Sequence, residues 1–217
     1  MTRGLSTLSH GGPRLPWVSV AVALVSLGLF AVFGGKPEAF IYNRELIESG
    51  EFWRLATGHF VHLDQKHLLM NVGALIALGI LYETSPHGGA LRLLLGCFVV
   101  SGGLISAVLF LGDPMTQYYC GLSAILNALY VATMIAMWRE TRSRLWLAGL
   151  GLLFAKTGYE AVFGPIFSSS LEWPPHLGAH LTGIAAGMLL LVYGLFEKML
   201  SRPGPARRDI RGSTPIP

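Results

Sequence analysis

Residues 90–111 read ALRLLLGCFVVSGGLISAVLFL, twenty-two positions in which Arg92 is the one charged side chain. A helix rising 1.5 Å per residue would cover roughly 33 Å over such a run, enough for about 30 Å of hydrocarbon. Five other segments have the same character: Leu15–Phe33, His67–Tyr82, Tyr118–Trp138, Leu145–Phe163 and Leu177–Leu200. The whole chain agrees with them. Of its 217 residues 52% are hydrophobic and 13% charged, against about 25% charged in soluble domains. The expected fold is therefore all-α, a polytopic membrane protein with six transmembrane helices. Residues 1–14 form a cytoplasmic N-terminal segment, 15–200 the membrane domain, and 201–217 a basic, Pro-rich cytoplasmic tail without fixed structure. Arg3 and Arg14 ahead of an apolar core also fit a signal peptide. The length of the run and the lack of a small-residue cleavage site favour a retained helix.

Charge sets the orientation. With the N-terminus inside, one side of the membrane holds Arg3, Arg14, Arg92, Arg139, Arg142, Arg144, Lys198, Arg202, Arg207, Arg208 and Arg211. The other holds Lys36, Arg44, Arg54 and Lys66. Cytoplasmic flanks collect Lys and Arg, so both termini are expected inside. The net charge of +4 is spent on these flanks and forms no nucleic-acid patch. Cys97 and Cys120 both lie in or beside apolar runs, which excludes a disulfide framework and a zinc spacing. A thiol-nucleophile reading of Cys120 has no second feature behind it.

This orientation sends helices two, four and six the same way, from outside to inside. His67 and Asn71 then open helix two, Ser123 stands about one and a half turns into helix four, and His180 about one turn into helix six. All four share one layer, up to about 10 Å below the outer surface. A serine hydroxyl needs a base to become a nucleophile, and histidine is the usual one. Donors aimed at the developing oxyanion complete such a site. Ser123 lies in Tyr119-Cys120-Gly121-Leu122-Ser123-Ala124, where Gly121 permits close backbone approach. His180 lies in Ala179-His180-Leu181-Thr182-Gly183, followed by Gly187. Gly183 and Gly187 make one small-residue face, and Ala124, Ala128 and Ala132 another, so that helices four and six can pack closely. Taken singly, each feature has a plainer reading. A membrane serine usually bonds its own backbone, a buried histidine can be structural, and small-residue faces mostly serve packing. Their combination points to a serine hydrolase.

The combination resembles the rhomboid family of intramembrane serine proteases over roughly Glu51 to Leu200. Trp53-Arg54, with Thr57 and His59 after it, is similar to that family's first-loop signature. His67-Leu68-Leu69-Met70-Asn71 is similar to its His-x-x-x-Asn, Gly121-Leu122-Ser123 to its Gly-x-Ser, and Ala179-His180 with Gly183 and Gly187 to its last helix. The resemblance implies that Ser123 is the nucleophile and His180 the base, with no carboxylate orienting it. His67 and Asn71 are then side-chain oxyanion donors, helped by the Ser123 amide. It makes His62 a structural hydrogen-bonder beneath the first loop. Trp53 and Arg54 are expected at the outer interface, and Glu83 is expected to anchor the loop after helix two.

Two positions depart from the family pattern. The glycine usual after the serine is Ala124, and the tyrosine often found four residues beyond the serine is Asn127. Asn127 is one turn from Ser123 and can either hydrogen-bond His180 and orient it or join two helices. Lys156 and Glu160 share one face of helix five. They form a mutual salt bridge or recognise a substrate tail. This pair, the short chain and the run Gly58-His59-Phe60-Val61-His62-Leu63 resemble the rhombosortase branch. That branch implies cleavage of exported proteins at a Gly-Gly motif before a C-terminal apolar helix and basic tail, and with it a bacterial inner membrane. No cofactor and no metal are implied. His59, His62 and His67 have no standard zinc spacing. The expected partners are membrane-anchored protein substrates and the lipid bilayer, not nucleic acid. Two other classes are a non-catalytic rhomboid-like chaperone or binding protein, supported by Ala124, and a metal or haem protein using His59, His62, His67 and His180.

Overall fold

The computed structural model describes residues 15–35, 37–84, 94–164 and 176–200. The expected N-terminal segment and basic tail, with Lys36, Arg92 and most of the loop before His176, lie outside the described residues. Six long helices are present among them: α1 (Trp17–Phe33), α4 (Gln65–Glu83), α5 (Leu94–Gly112), α6 (Ser123–Thr141), α7 (Arg144–Phe163) and α8 (Leu177–Leu200). Two short helices, α2 (Arg44–Glu48) and α3 (Arg54–Thr57), lie in the first loop. Two of the long helices, Leu94–Gly112 and Leu177–Gly194, are apolar and long enough to cross a membrane by length and composition, and α1 is apolar but shorter, at 17 residues. α4, α6 and α7 are interrupted by His67, Asn71, Ser123, Asn127, Lys156 and Glu160, which lowers their apolarity.

α6 is the axis of the fold. Ala124, Ile125, Leu126, Ala128, Leu129, Val131, Ala132 and Thr133 are all buried, on every side of the helix, because α4, α7 and α8 pack around it. The small-residue faces meet as the sequence predicts. A Cβ added at Gly183 would collide with the carbonyl oxygen of Ala124, and one at Gly187 would fall 2.6 Å from that of Ala128. α8 therefore rests directly on the α6 backbone over about one turn, next to Ser123.

The all-α expectation needs one addition. Tyr42–Asn43 (β1) and Tyr118–Tyr119 (β2) pair antiparallel, with Tyr42 opposite Tyr119 and Asn43 opposite Tyr118. The Gly121 amide donates to the Gly58 carbonyl at 2.9 Å and the Arg44 amide to Gln117 at 3.0 Å. The first loop is thereby laced to the segment that precedes Ser123. Helix four consequently starts later than expected, at Ser123 rather than Tyr118. Residues 118–119 are extended in the sheet and Gly121 has φ +108°, which no right-handed helix contains.

Three charged residues hold structural positions that the sequence alone does not show. Arg44 is buried, and its Nη2 donates to the carbonyls of Leu109 (2.6 Å), Phe110 (3.0 Å) and Asp113 (2.9 Å), while Nε donates to Thr116 (3.2 Å). It closes the C-terminus of α5, where carbonyls have no helical partner and a cation is favoured. Arg54 is buried within the protein at 4% exposure. It pairs with Glu51 at 2.7 Å and donates to the carbonyls of Glu38 (2.5 Å) and Ile41 (2.9 Å). Trp53 does sit at the surface, with its indole N–H donating to Ala39. Glu83 accepts from the amides of Val18 and Ser19, each at 2.9 Å; the loop it was expected to anchor, residues 85–93, lies outside the described residues. Pro16 offers α1 no side-chain cap, so a carboxylate from the end of α4 supplies the acceptor that a helix N-terminus needs.

Candidate active site

Asp64 begins the site. Its carboxylate accepts from the His67 amide at 2.7 Å and caps α4, which fixes the first turn that carries His67. Four residues on, Asn71 lies on the same face. It is buried, and its Nδ2 has no hydrogen-bond partner within the protein. From α6 comes Ser123, its first residue, and from α8 His180, its fourth. The Ser123 hydroxyl and His180 Nε2 are 3.0 Å apart, the separation of an O–H donor and a ring-nitrogen acceptor. Three helices thus bring His67, Asn71, Ser123 and His180 to one cavity, as their shared depth predicts.

That cavity has a volume of about 370 Å³. Its polar end holds these four residues with Asp64, Lys66 and Asn127. Its walls are apolar, from Met70, Ala74 and Leu78 on α4, Leu126 and Tyr130 on α6, and Leu152 and Leu153 on α7. From His67 to Leu78 it follows α4 for roughly 16 Å. Ala124 is not among the lining residues. Its methyl is fully buried in a cluster with Tyr42, Ile105, Tyr119 and Ala179, so the departure from glycine fills core and leaves the cavity unchanged.

Gly121 is required twice over. Its φ of +108° belongs to glycine, and a Cβ there would stand 2.6 Å from His67 Cε1 and 2.8 Å from Nε2. The His67 ring therefore lies against the backbone just ahead of Ser123. Behind it, His62 meets His67 edge-on, with ring centroids 4.9 Å apart. His62 is buried, and its ring lies beside the Phe60 backbone, which opposes the effect of burial on it. Burial, then the neighbouring His67, pushes its pKa down to about 3, so it is a neutral packing partner. His59, also in the first loop, bonds α5: its Nε2 meets Ser106 Oγ at 3.0 Å and the Gly102 carbonyl at 3.2 Å. Burial lowers the His59 pKa to about 4. Among the described residues no three His, Cys, Asp or Glu side chains gather as metal ligands.

Asn127 and Glu160 divide the work the sequence left open. Asn127 Nδ2 donates to the backbone carbonyl of His180 at 3.4 Å, joining α6 to α8 without touching the ring. The ring is met by a carboxylate where none was expected: Glu160 Oε2 lies 3.7 Å from His180 Nδ1. The same oxygen accepts from Lys156 Nζ at 2.7 Å, so the mutual salt bridge on α7 is formed, and both residues line the cavity. No sequence signal tied Glu160 to His180, since a pair on two helices has no spacing to read.

A second polar cluster seats α8. His176 Nδ1 accepts from the Ala179 amide at 3.0 Å, and its Nε2 donates to Asp113 Oδ2 at 2.8 Å, beside Thr116. The Thr116 hydroxyl, then His176, holds the Asp113 carboxyl below its ordinary value of 3.8. A folded pKa below the unfolded one means that the contribution is complete above the unfolded value and is lost as pH falls through the folded value. Asp113→Asn is therefore expected to lower thermal stability at neutral pH, and the gap from wild type should close below about pH 4. Parallel melting curves across pH check this, and a gap that stays constant would contradict it.

Residues 49–196 match the Rhomboid domain. The chain belongs to the rhomboid family. Rhomboid-like protease 2 of Toxoplasma gondii is 31% identical over 151 residues, which are 67% of this chain and 50% of that protein. RHOMBOID-like protein 6, mitochondrial, of Arabidopsis thaliana is 29% identical over 154 residues, 69% of this chain and 47% of that one. The chain spans about half the length of these curated relatives. Rhomboid membership together with the apolar helices marks a membrane protein. Every part of the cavity, from Asp64 to His180, falls inside the matched rhomboid segment.

Proposed function

We propose that this rhomboid protein is an intramembrane serine endopeptidase that cleaves membrane-anchored proteins near the outer leaflet. One observation carries the reading: the 3.0 Å approach of the Ser123 hydroxyl to His180 Nε2, in a cavity that also holds the unpartnered amide of Asn71. With its proton on Nδ1, His180 accepts the Ser123 proton at Nε2 as Oγ bonds to the scissile carbonyl carbon. Negative charge then develops on the carbonyl oxygen. Asn71 Nδ2, His67 and the Ser123 amide are the donors assigned to it. His180 returns the proton to the leaving amine as the C–N bond breaks, and water attacks the acyl-enzyme to regenerate Ser123. An intact helix hides its peptide bonds, so the substrate must unwind beside the site, and glycine lowers the cost of unwinding. The apolar length of the cavity along α4 suits a hydrophobic segment of such a substrate.

The six helices span the membrane in this reading, with both termini cytoplasmic. The rhombosortase assignment is a finer part of the same proposal: cleavage at a Gly-Gly motif before a C-terminal apolar helix, in a bacterial inner membrane. It rests on Lys156, Glu160 and the Gly58–Leu63 run, and the two eukaryotic relatives lend it no support. Co-expression with a tagged substrate bearing that motif tests it. A cleaved band with wild type that disappears with Ser123→Ala supports both levels. Cleavage only of a substrate lacking the Gly-Gly motif would retain the protease and remove the branch. Asn71→Ala is expected to slow turnover about 100- to 1000-fold, the usual cost of one oxyanion donor. A loss under tenfold would take Asn71 out of that role.

A further inference from the structure

We propose that Glu160 is a positioning residue for His180, the third member of a Ser123–His180–Glu160 relay of contacts, with Lys156 as the counter-ion that holds Glu160 in place. The proposal rests on the serine-hydrolase reading above. It adds a carboxylate on α7 to a pair formed by α6 and α8.

The geometry makes a line. Ser123 Oγ meets Nε2 of the imidazole at 3.0 Å, and Glu160 Oε2 lies 3.7 Å from Nδ1 on the opposite side of the ring. A carboxylate there favours the tautomer with the proton on Nδ1, which leaves Nε2 free to take the serine proton. It also offsets the positive charge of the imidazolium that forms as Ser123 attacks. The separation is longer than a hydrogen bond. It is an ion-pair distance, and catalytic contacts of this kind shorten when charge develops on the ring. Both partners are almost enclosed: the His180 side chain is 6% exposed and that of Glu160 8%. Little water intervenes to screen the pair. Lys156 is different. It is 35% exposed and reaches Glu160 at 2.7 Å from the cavity side. A carboxylate in so apolar a helix needs such a partner to remain ionised.

The charged and titratable groups facing His180 are few among the described residues. His67 approaches from α4, Ser123 and Asn127 from α6, and Lys156 and Glu160 from α7. Among the described residues, Glu160 is the one carboxylate paired with its ring. Glu160 and Lys156 should therefore act on the base in opposite directions, which a plain structural salt bridge would not do.

The experiment uses the full chain in detergent micelles and a fluorophosphonate probe. Ser123 Oγ bonds to phosphorus, fluoride leaves, and His180 takes the proton, so no substrate need be known. Labelling rates are measured against pH for wild type, Ser123→Ala, Glu160→Gln, Glu160→Asp and Lys156→Met. Glu160→Gln should label about 100-fold more slowly or worse at neutral pH, the scale of a compromised general base. Its acid limb should move to lower pH. Lys156→Met should lose much less and move its acid limb to higher pH, because it removes a positive charge near the imidazolium. Glu160→Asp should recover part of the rate. If Glu160→Gln does not fold, the sign of the Lys156→Met shift decides alone. Rates within about threefold of wild type with an unmoved acid limb would overturn the proposal. So would parallel losses in both variants with no shift, the mark of a bridge that only joins turns of α7. Wild type that labels no faster than Ser123→Ala would overturn the hydrolase reading itself, a result distinct from either of these.

Discussion

Ser123→Ala is expected to remove proteolysis altogether, a loss on the order of 10⁶-fold in kcat, as when the nucleophile of a serine protease is deleted. In the proposed mechanism the hydroxyl oxygen is the atom that bonds to the acyl carbon, and no other described residue lining the cavity is placed to replace it. Cys120 is its near neighbour in sequence, but burial pushes that thiol up to about 12, so at neutral pH it is no nucleophile. The fold should be indifferent to the change. Ser123 is only half-buried, and Ala is a good first-turn residue for α6. The measurement is cleavage of the tagged substrate and probe labelling, side by side with a thermal melt. Residual turnover above about one part in a thousand in a clean preparation would exclude Ser123 as nucleophile. His180→Ala should match it in activity. Unlike the serine variant, it should also soften the fold, since a buried imidazole between α6 and α7 is replaced by a gap.

The second large effect is expected at Gly121, which is not among the residues lining the cavity. Gly121→Ala forces an L side chain into φ +108° and sets its Cβ 2.6 Å from His67. The backbone strain alone costs about 1–3 kcal/mol. The collision must then be relieved either by the His67 ring or by the turn before Ser123. His67 is an assigned oxyanion donor, and that turn carries the nucleophile and its amide, so each escape damages the site. Turnover should fall at least 100-fold, together with a lower melting temperature. Leu122→Ala is the comparison. It removes buried volume at the neighbouring position and should destabilise by about 2–5 kcal/mol, while costing proportionally less activity. Should Gly121→Ala retain wild-type turnover, His67 is not held where the oxyanion forms.

Two of the most informative features lie where sequence patterns are silent. The β1–β2 pair is two residues on each side, far below the length at which alternation can be seen. Yet it decides where α6 begins, and hence that Ser123 is the first helical residue. Tyr118 and Tyr119 extend an apolar run without a break, so periodicity alone carries the helix back to Tyr118. The roles of Arg44 and Glu83 were hidden for a related reason. Each serves the end of another helix, 65 residues away in both cases, and helix-end signals are read from the residues next to the end.

From the sequence alone came the helical class, the six long segments and the set of residues at the site. Length and apolarity of a run are local properties, and the order of His67, Asn71, Gly121, Ser123 and His180 along the chain is what the rhomboid resemblance was read from; these residues come together around one cavity and the turn beside it. The facing small-residue stripes were also legible, because small side chains on one helix face permit backbone contact whatever the partner. Only the tertiary structure decided what surrounds the base. Asn127 is one turn from Ser123 and was the natural candidate to orient His180, but helix rotation aims it at a backbone carbonyl. Glu160 and Lys156, which read as a local pair, face the cavity from a third helix, and one of them reaches the imidazole. Distances between helices depend on their packing, and a few ångströms of rotation or slide separate a salt bridge on one helix from a carboxylate beside the histidine that bonds Ser123.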